Sequence, residues 1–204
     1  MPPSRPVFLL PRLHIPLVLV LVVLVGWAGM GRATQATPDA LWSLLREGRA
    51  VALIRHADAP GTGDPPGFDL ADCASQRQIS TPGRAQATAL GDTFRRQGIT
   101  VGLVLSSRWC RCLDTGRLAF GAVTPFPPLD SFFNDRSTEP EQSAAVLARI
   151  RTWAGPGTLV MVTHQVNITA LTGIIPRQGE IAVVSVAPGG SPILHGRLDP
   201  TRPG

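Results

Sequence analysis

The chain has 204 residues, 44% hydrophobic and 16% charged, which suits one domain with a real core and excludes a disordered tail. All 19 basic residues are arginine and there is no tyrosine, so a lysine nucleophile, a Schiff base and a tyrosine acid are excluded. The formal charge of +5 falls to +2 without residues 1–36, too little for the basic stripe of a nucleic-acid partner but suited to a small anionic substrate.

The N-terminus reads as an address or an anchor. Arg5, Arg12 and His14 precede the apolar run "IPLVLVLVVLVGWA" at 15–28, and small residues follow near Ala36. A basic start, an apolar stretch and small residues describe a secretory signal peptide. An uncleaved membrane anchor at 15–30 is the alternative, although that run is shorter than the ~20 residues a spanning helix prefers. Either way residues 37–204 are expected to form one exported domain, periplasmic or extracellular, or held at the inner membrane.

Within it, "PDALWSLLREG" at 38–48 predicts a helix with Leu41, Leu44 and Leu45 on one face. A buried strand follows at 50–54, then a long loop at 57–80, and loops of that length usually serve function. Ser80 and Pro82 open a helix over 80–98. "VGLVLSS" at 101–107 predicts a second strand, 108–120 a helix, and 123–129 an extended Pro-rich piece. A helix is expected over 139–155, with Glu139 and Glu141 at its positive end, a third strand over 158–164, and a short helix over 167–172. "IAVVSVA" and "PILHGRL" suggest an edge hairpin. Strands that are continuous apolar runs, alternating with helices, predict a three-layer α/β/α domain around a mostly parallel sheet.

The cysteines are Cys73, Cys110 and Cys112. In an oxidising compartment Cys73 can pair with Cys110 or Cys112. Three free thiols are the alternative, and a zinc site lacks a fourth good ligand.

Ligands of such sheets bind at the carboxyl ends of the strands. The first predicted strand ends in Arg55-His56, the second in Ser-Ser-Arg108, the third in His164. Arginine supplies fixed, forked donors that match phosphate oxygens. A neutral histidine among arginines suits attack on phosphorus, and a second histidine suits hydrogen bonding to the charge that develops. A metal centre on the two histidines is disfavoured, since a third ligand would have to be a carboxylate and arginines would repel the cation. His195, alone in the terminal hairpin, is expected to be structural, and Asp58 to cap a loop or pair with an arginine. Phe68, Trp109, Phe132 and Phe133 are expected mainly in the core, with some walling the pocket.

"LIRHADA", "ISTPGRAQATALG", "LSSRWCRCLDTGRLAFG" and "VTHQVNITALTG" together resemble the histidine phosphatase superfamily, also called phosphoglycerate-mutase-like, over roughly residues 49–175. The resemblance implies a metal-independent phosphomonoesterase that forms a phosphohistidine on His56, with Arg55, Arg108 and His164 completing the phosphate pocket and no cofactor. The substrate would be a small phosphate ester or a phosphoprotein. Ala57 and Asp58 stand where the family usually has Gly and Glu. The family's frequent Leu-x-Glu proton donor falls on Ser131, so Asp130 is the expected donor, with Asp135 and Glu139 as rivals. Gln165 after the second histidine argues against the subgroup that carries Asp there. The alternatives are a phosphomutase, disfavoured by the short chain, and a non-catalytic phosphoryl-binding envelope protein, favoured by the missing glutamate.

Overall fold

A computed structural model describes residues 36–200. The expected signal peptide or anchor at 1–36 lies almost wholly outside the described residues, within which no helix is long and apolar enough to cross a membrane.

The elements follow the sequence pattern. Helix α1 (Pro38–Arg46) precedes strand β1 (Val51–Arg55), and α2 (Thr81–Arg96) precedes β2 (Val101–Ser106). Helix α3 (Cys110–Phe120) leads to β3 (Thr124–Pro125), and α4 (Glu139–Arg151) to β4 (Thr158–Thr163). Helix α5 (Gln165–Thr172) and strands β5 (Ile181–Val186) and β6 (Pro192–Leu198) complete the domain. Caps fix the starts: the Ser80 hydroxyl accepts from Gly83 N at 2.9 Å, satisfying a helix-end donor that would otherwise be unpaired.

The six strands lie in the order β3-β2-β4-β1-β5-β6, with β1, β2, β3 and β4 parallel. The predicted edge hairpin is placed differently. β5 pairs antiparallel with β1 as well as with β6, so it is an interior strand, and Ile181 to Val184 are buried. Its apolar run therefore meets helices on both sides, as a solvent-facing edge strand would not.

Alternation along the strands builds two cores. Ala52 and Ile54 of β1 pack with Leu41, Leu45, Leu90 and Phe94 of α1 and α2. Val51 and Leu53 face the other way, against Val146, Ile150, Ile168 and Leu171 of α4 and α5. The three-layer arrangement follows from that period of two. Register then aligns the strand ends: Arg55 lies beside Thr163, and Ser106 beside Val162. The next residues, His56, Ser107 and His164, emerge at one edge of the sheet.

Candidate active site

A cavity of about 160 Å³ opens at that edge. Arg55, His56 and His164 line it, as the sequence pattern implies. Their positions are fixed by the backbone. His56 N donates to Thr163 O at 3.0 Å, and Arg55 N to Glu180 O at 3.1 Å. The two imidazoles lie 5.6 Å apart, inclined at 63°.

His56 is poised by its own strand end. Its Nδ1 lies 2.8 Å from Ala57 O, and a carbonyl only accepts, so Nδ1 carries the proton and Nε2 keeps a lone pair. Burial, reinforced by the nearby arginines Arg111, Arg55 and Arg77, outweighs that hydrogen bond and pushes the ring's pKa down to about 3. His164 is likewise held well below its ordinary value, by burial first and then by Arg111, His56, Arg77 and Arg55. Both rings are neutral at pH 7.

Arg108 does not reach the cavity. Its side chain is half exposed and turns to Asp130, with Nε 2.7 Å and Nη2 2.6 Å from Oδ2. The pocket arginine on α3 is Arg111, three residues further on and buried. The reason is helical phase. Arg111 and Thr115 lie four residues apart on one face of α3, whereas Arg108 precedes the helix. Thr115 locks that face to β1, its hydroxyl accepting from Ala57 N at 2.9 Å.

Arg111 is clamped by a residue of the long loop, Asp64. Nη1 and Nη2 bond its two oxygens at 2.6 and 3.1 Å, and both side chains are nearly inaccessible, at 3% and 6%. Trp109 Nε1 and Arg77 N add bonds to the same carboxylate at 3.0 and 3.1 Å. Burial alone would raise the pKa of Asp64, but these donors prevail and hold it below the usual carboxylate range. Arg77 also lines the cavity, steadied by Gly63 O at 2.8 Å. Arg55 is held by Pro176 O at 2.9 Å. The Nε atoms of Arg55 and Arg111 are buried without a hydrogen-bond partner. Such donors on cavity-lining side chains match an incoming anion.

The loop carrying Asp64 is stapled to α3 by a Cys73–Cys110 disulfide, which settles the pairing left open by the sequence. The side chain of Gln76 accepts from Cys110 N at 3.0 Å beside it. Cys112 is a free buried thiol against His164, its pKa pushed by burial up to about 12.

No family model and no curated protein matches the chain. Solved structures do. The protein histidine phosphatase SixA, solved with tungstate, aligns with a TM-score of 0.53 at 18% identity, over 74% of this chain and 97% of that one. A phosphoserine phosphatase from Entamoeba histolytica, solved with 3-phosphoglyceric acid, aligns at 0.53 and 13% identity, over 74% and 96%. The alpha-ribazole phosphatase from Shigella flexneri aligns at 0.51 and 16%, over 71% and 94%.

The chain has the histidine phosphatase fold.

Within this histidine phosphatase fold the three acids expected from the sequence, Asp130, Asp135 and Glu139, all lie off the cavity. Asp130 is buried and engaged by Arg108, Ser107 and Arg108 N, and it does not line the cavity. Asp135 is exposed and caps a short turn through Ser137 N at 3.0 Å. Glu139 accepts from Ser143 at 2.9 Å and lies outside the cavity. Ser131, at the expected glutamate position, does line it, with Phe133, Asn134 and Gln165. Among the described residues Asp64 is the one carboxylate at the cavity wall. Trp109 and the half-exposed Phe133 form aromatic walls, while Phe132 is core and Phe68 packs on Trp109. His195 sits in the β5–β6 hairpin on Ser185 at 2.8 Å, away from the site, and Asp58 receives the Ser80 hydroxyl.

Proposed function

We propose that the protein is a phosphomonoesterase in which His56 Nε2 attacks phosphorus and carries a phosphohistidine intermediate. The observation that carries the reading is the pairing of a neutral His56, its free lone pair fixed by Ala57 O, with two arginines that line the same cavity and keep an unpartnered Nε donor. Attack forms an Nε2–P bond and breaks the bond from phosphorus to the leaving atom. Arg55, Arg111 and Arg77 offset the equatorial charge, and water then cleaves the phosphohistidine.

The substrate class follows from what surrounds the nucleophile. The cavity of about 160 Å³ is smaller than drug-sized pockets and suits a phosphoryl group, leaving the rest of the substrate at the mouth. Asp64, the carboxylate at the wall, is held ionised by Arg111 and is a poor acid. Substrates whose leaving group needs no proton from the enzyme are therefore favoured: phosphoramidates such as phosphohistidine, which carry the proton themselves, and acyl and aryl phosphates. The protein histidine phosphatase among the structural neighbours fits this reading. Ordinary alkyl phosphates are expected to turn over slowly.

The test is a comparison of p-nitrophenyl phosphate, phosphohistidine and glycerol phosphate with the full-length protein. Hydrolysis of the first two, abolished in His56→Ala, is expected. Full activity in that variant would remove the nucleophile assignment. The lack of a cavity acid also favours a second reading, a phosphoryl-binding protein without turnover. Tight phosphate binding with no release from any of the three would select it.

A further inference from the structure

The buried carboxylate of Asp130 is not needed to hold its own loop. The backbone there is already pinned from three sides. Asn167 Nδ2 and Gln142 Nε2 donate to Asp130 O at 2.8 and 2.9 Å, and Thr163 Oγ1 donates to Leu129 O at 2.6 Å. Yet the side chain is turned inward onto Ser107, which is fully buried.

Following the donors gives a directed chain. A guanidinium only donates, and Arg111 Nη2 lies 3.4 Å from His164 Nδ1, so Nδ1 presents its lone pair on the cavity side. Nε2 then carries the ring proton and donates to Ser107 Oγ at 2.8 Å. The Ser107 hydroxyl passes its own proton to Asp130 Oδ1 at 3.2 Å. Cys112 has its own acceptor in Thr163 O, with Sγ 3.6 Å away. The groups facing His164 are thus the cations Arg111, Arg77 and Arg55, the neutral His56 and Cys112, and, through Ser107, the anion Asp130.

We propose that Asp130, acting through Ser107, is a positioning residue: it holds resting His164 as the Nε2–H tautomer and stabilises the imidazolium formed when phosphate binds. In that step a monoanionic phosphoryl group gives its O–H proton to Nδ1. The O–H bond breaks, an Nδ1–H bond forms, and the electron pair stays on oxygen. Arg111 Nη2 exchanges Nδ1 for the new phosphoryl oxygen. The neutral-to-cationic change is otherwise opposed by burial and by the arginines, and Asp130 is the anion placed to offset it. This goes beyond the phosphatase reading and rests on it only for its kinetic part.

The experiment is ¹⁵N NMR of the histidine rings in the full-length protein, with and without inorganic phosphate. Wild type is expected to show a protonated Nε2 and unprotonated Nδ1 at rest, and protonation of both on phosphate. Asp130→Asn and Ser107→Ala are expected to lose the second state, whereas Ser107→Thr, which keeps the hydroxyl, retains it. Ser107→Ala leaves the Arg108–Asp130 pair in place, so it tests the relay even where Asp130→Asn folds poorly. On p-nitrophenyl phosphate the two disabling variants are expected to lose about 10–100-fold in kcat, the usual effect of removing a ring-orienting partner, with little change in KM. Unchanged ring resonances in both variants would overturn the proposal. So would an Arg108→Gln variant that loses the phosphate-bound state as fully as Asp130→Asn, since Asp130 would then act only as an anchor. The resonances report on the relay even if no substrate is hydrolysed, which separates this failure from that of the phosphatase reading.

Discussion

Asp64→Asn is the substitution whose cost the geometry specifies best. It removes the charge from a carboxylate that meets Arg111 through two bonds, at 2.6 and 3.1 Å, where neither side chain has meaningful access to water. Breaking a buried pair from one side leaves the other charge uncompensated and costs about 3–5 kcal/mol. The asparagine oxygen still accepts one guanidinium bond, which places the loss near the lower end, about 3 kcal/mol. For a chain of this size that corresponds to roughly 6–12 °C in Tm. Urea unfolding under oxidising conditions measures it, with an unchanged m-value showing that the unfolded state is the same. The double variant Asp64→Leu/Arg111→Met, which removes both charges, is expected to recover most of the stability but none of the activity. A loss under about 1 kcal/mol for Asp64→Asn would equal that of an exposed pair and refute the clamp.

Reduction of Cys73–Cys110, which spans 37 positions, is expected to remove about 4 kcal/mol on the chain-entropy model. Activity should fall with it and return on reoxidation, because Asp64 and Arg77 both lie on the stapled loop. Acid should destabilise the fold through the two site histidines. Both are held neutral when folded but protonate near 6.5 when unfolded, so the unfolded state binds more protons as pH falls. Stability measured by urea titration is expected to be flat above about pH 6.5 and to drop below it by about 1.4 kcal/mol per pH unit for each histidine, continuing for His56 to about pH 3.

Much of the site was legible because parallel strands deliver their next residues to one edge. His56 and His164 follow apolar runs directly, and nothing but strand phase was needed to bring them together. Arg111 is less legible, because Arg108 is the first arginine after Ser107. The 111–115 spacing carries the signal, since a helix face repeats every third or fourth residue and Arg108 precedes the helix. The position of Asp130 beside the expected glutamate suggests an acid, but local spacing does not say which way a loop carboxylate turns. Asp64 and Arg77 carried no signal, because a long loop without period hides which residues fold back. The interior place of β5 was equally hidden, as pairing partners are set by topology and not by the strand's own pattern.

The proposed reaction stands on a covalent phosphate at His56. Mixing the full-length protein with a ³²P-labelled phosphoramidate, quenching in alkali and mapping the label by mass spectrometry tests it directly. An acid-labile, alkali-stable phosphoryl group on the peptide carrying His56, absent in His56→Ala and retained in His195→Ala, is predicted. Turnover with no such label on His56, or the same label in the His56→Ala protein, would contradict the account.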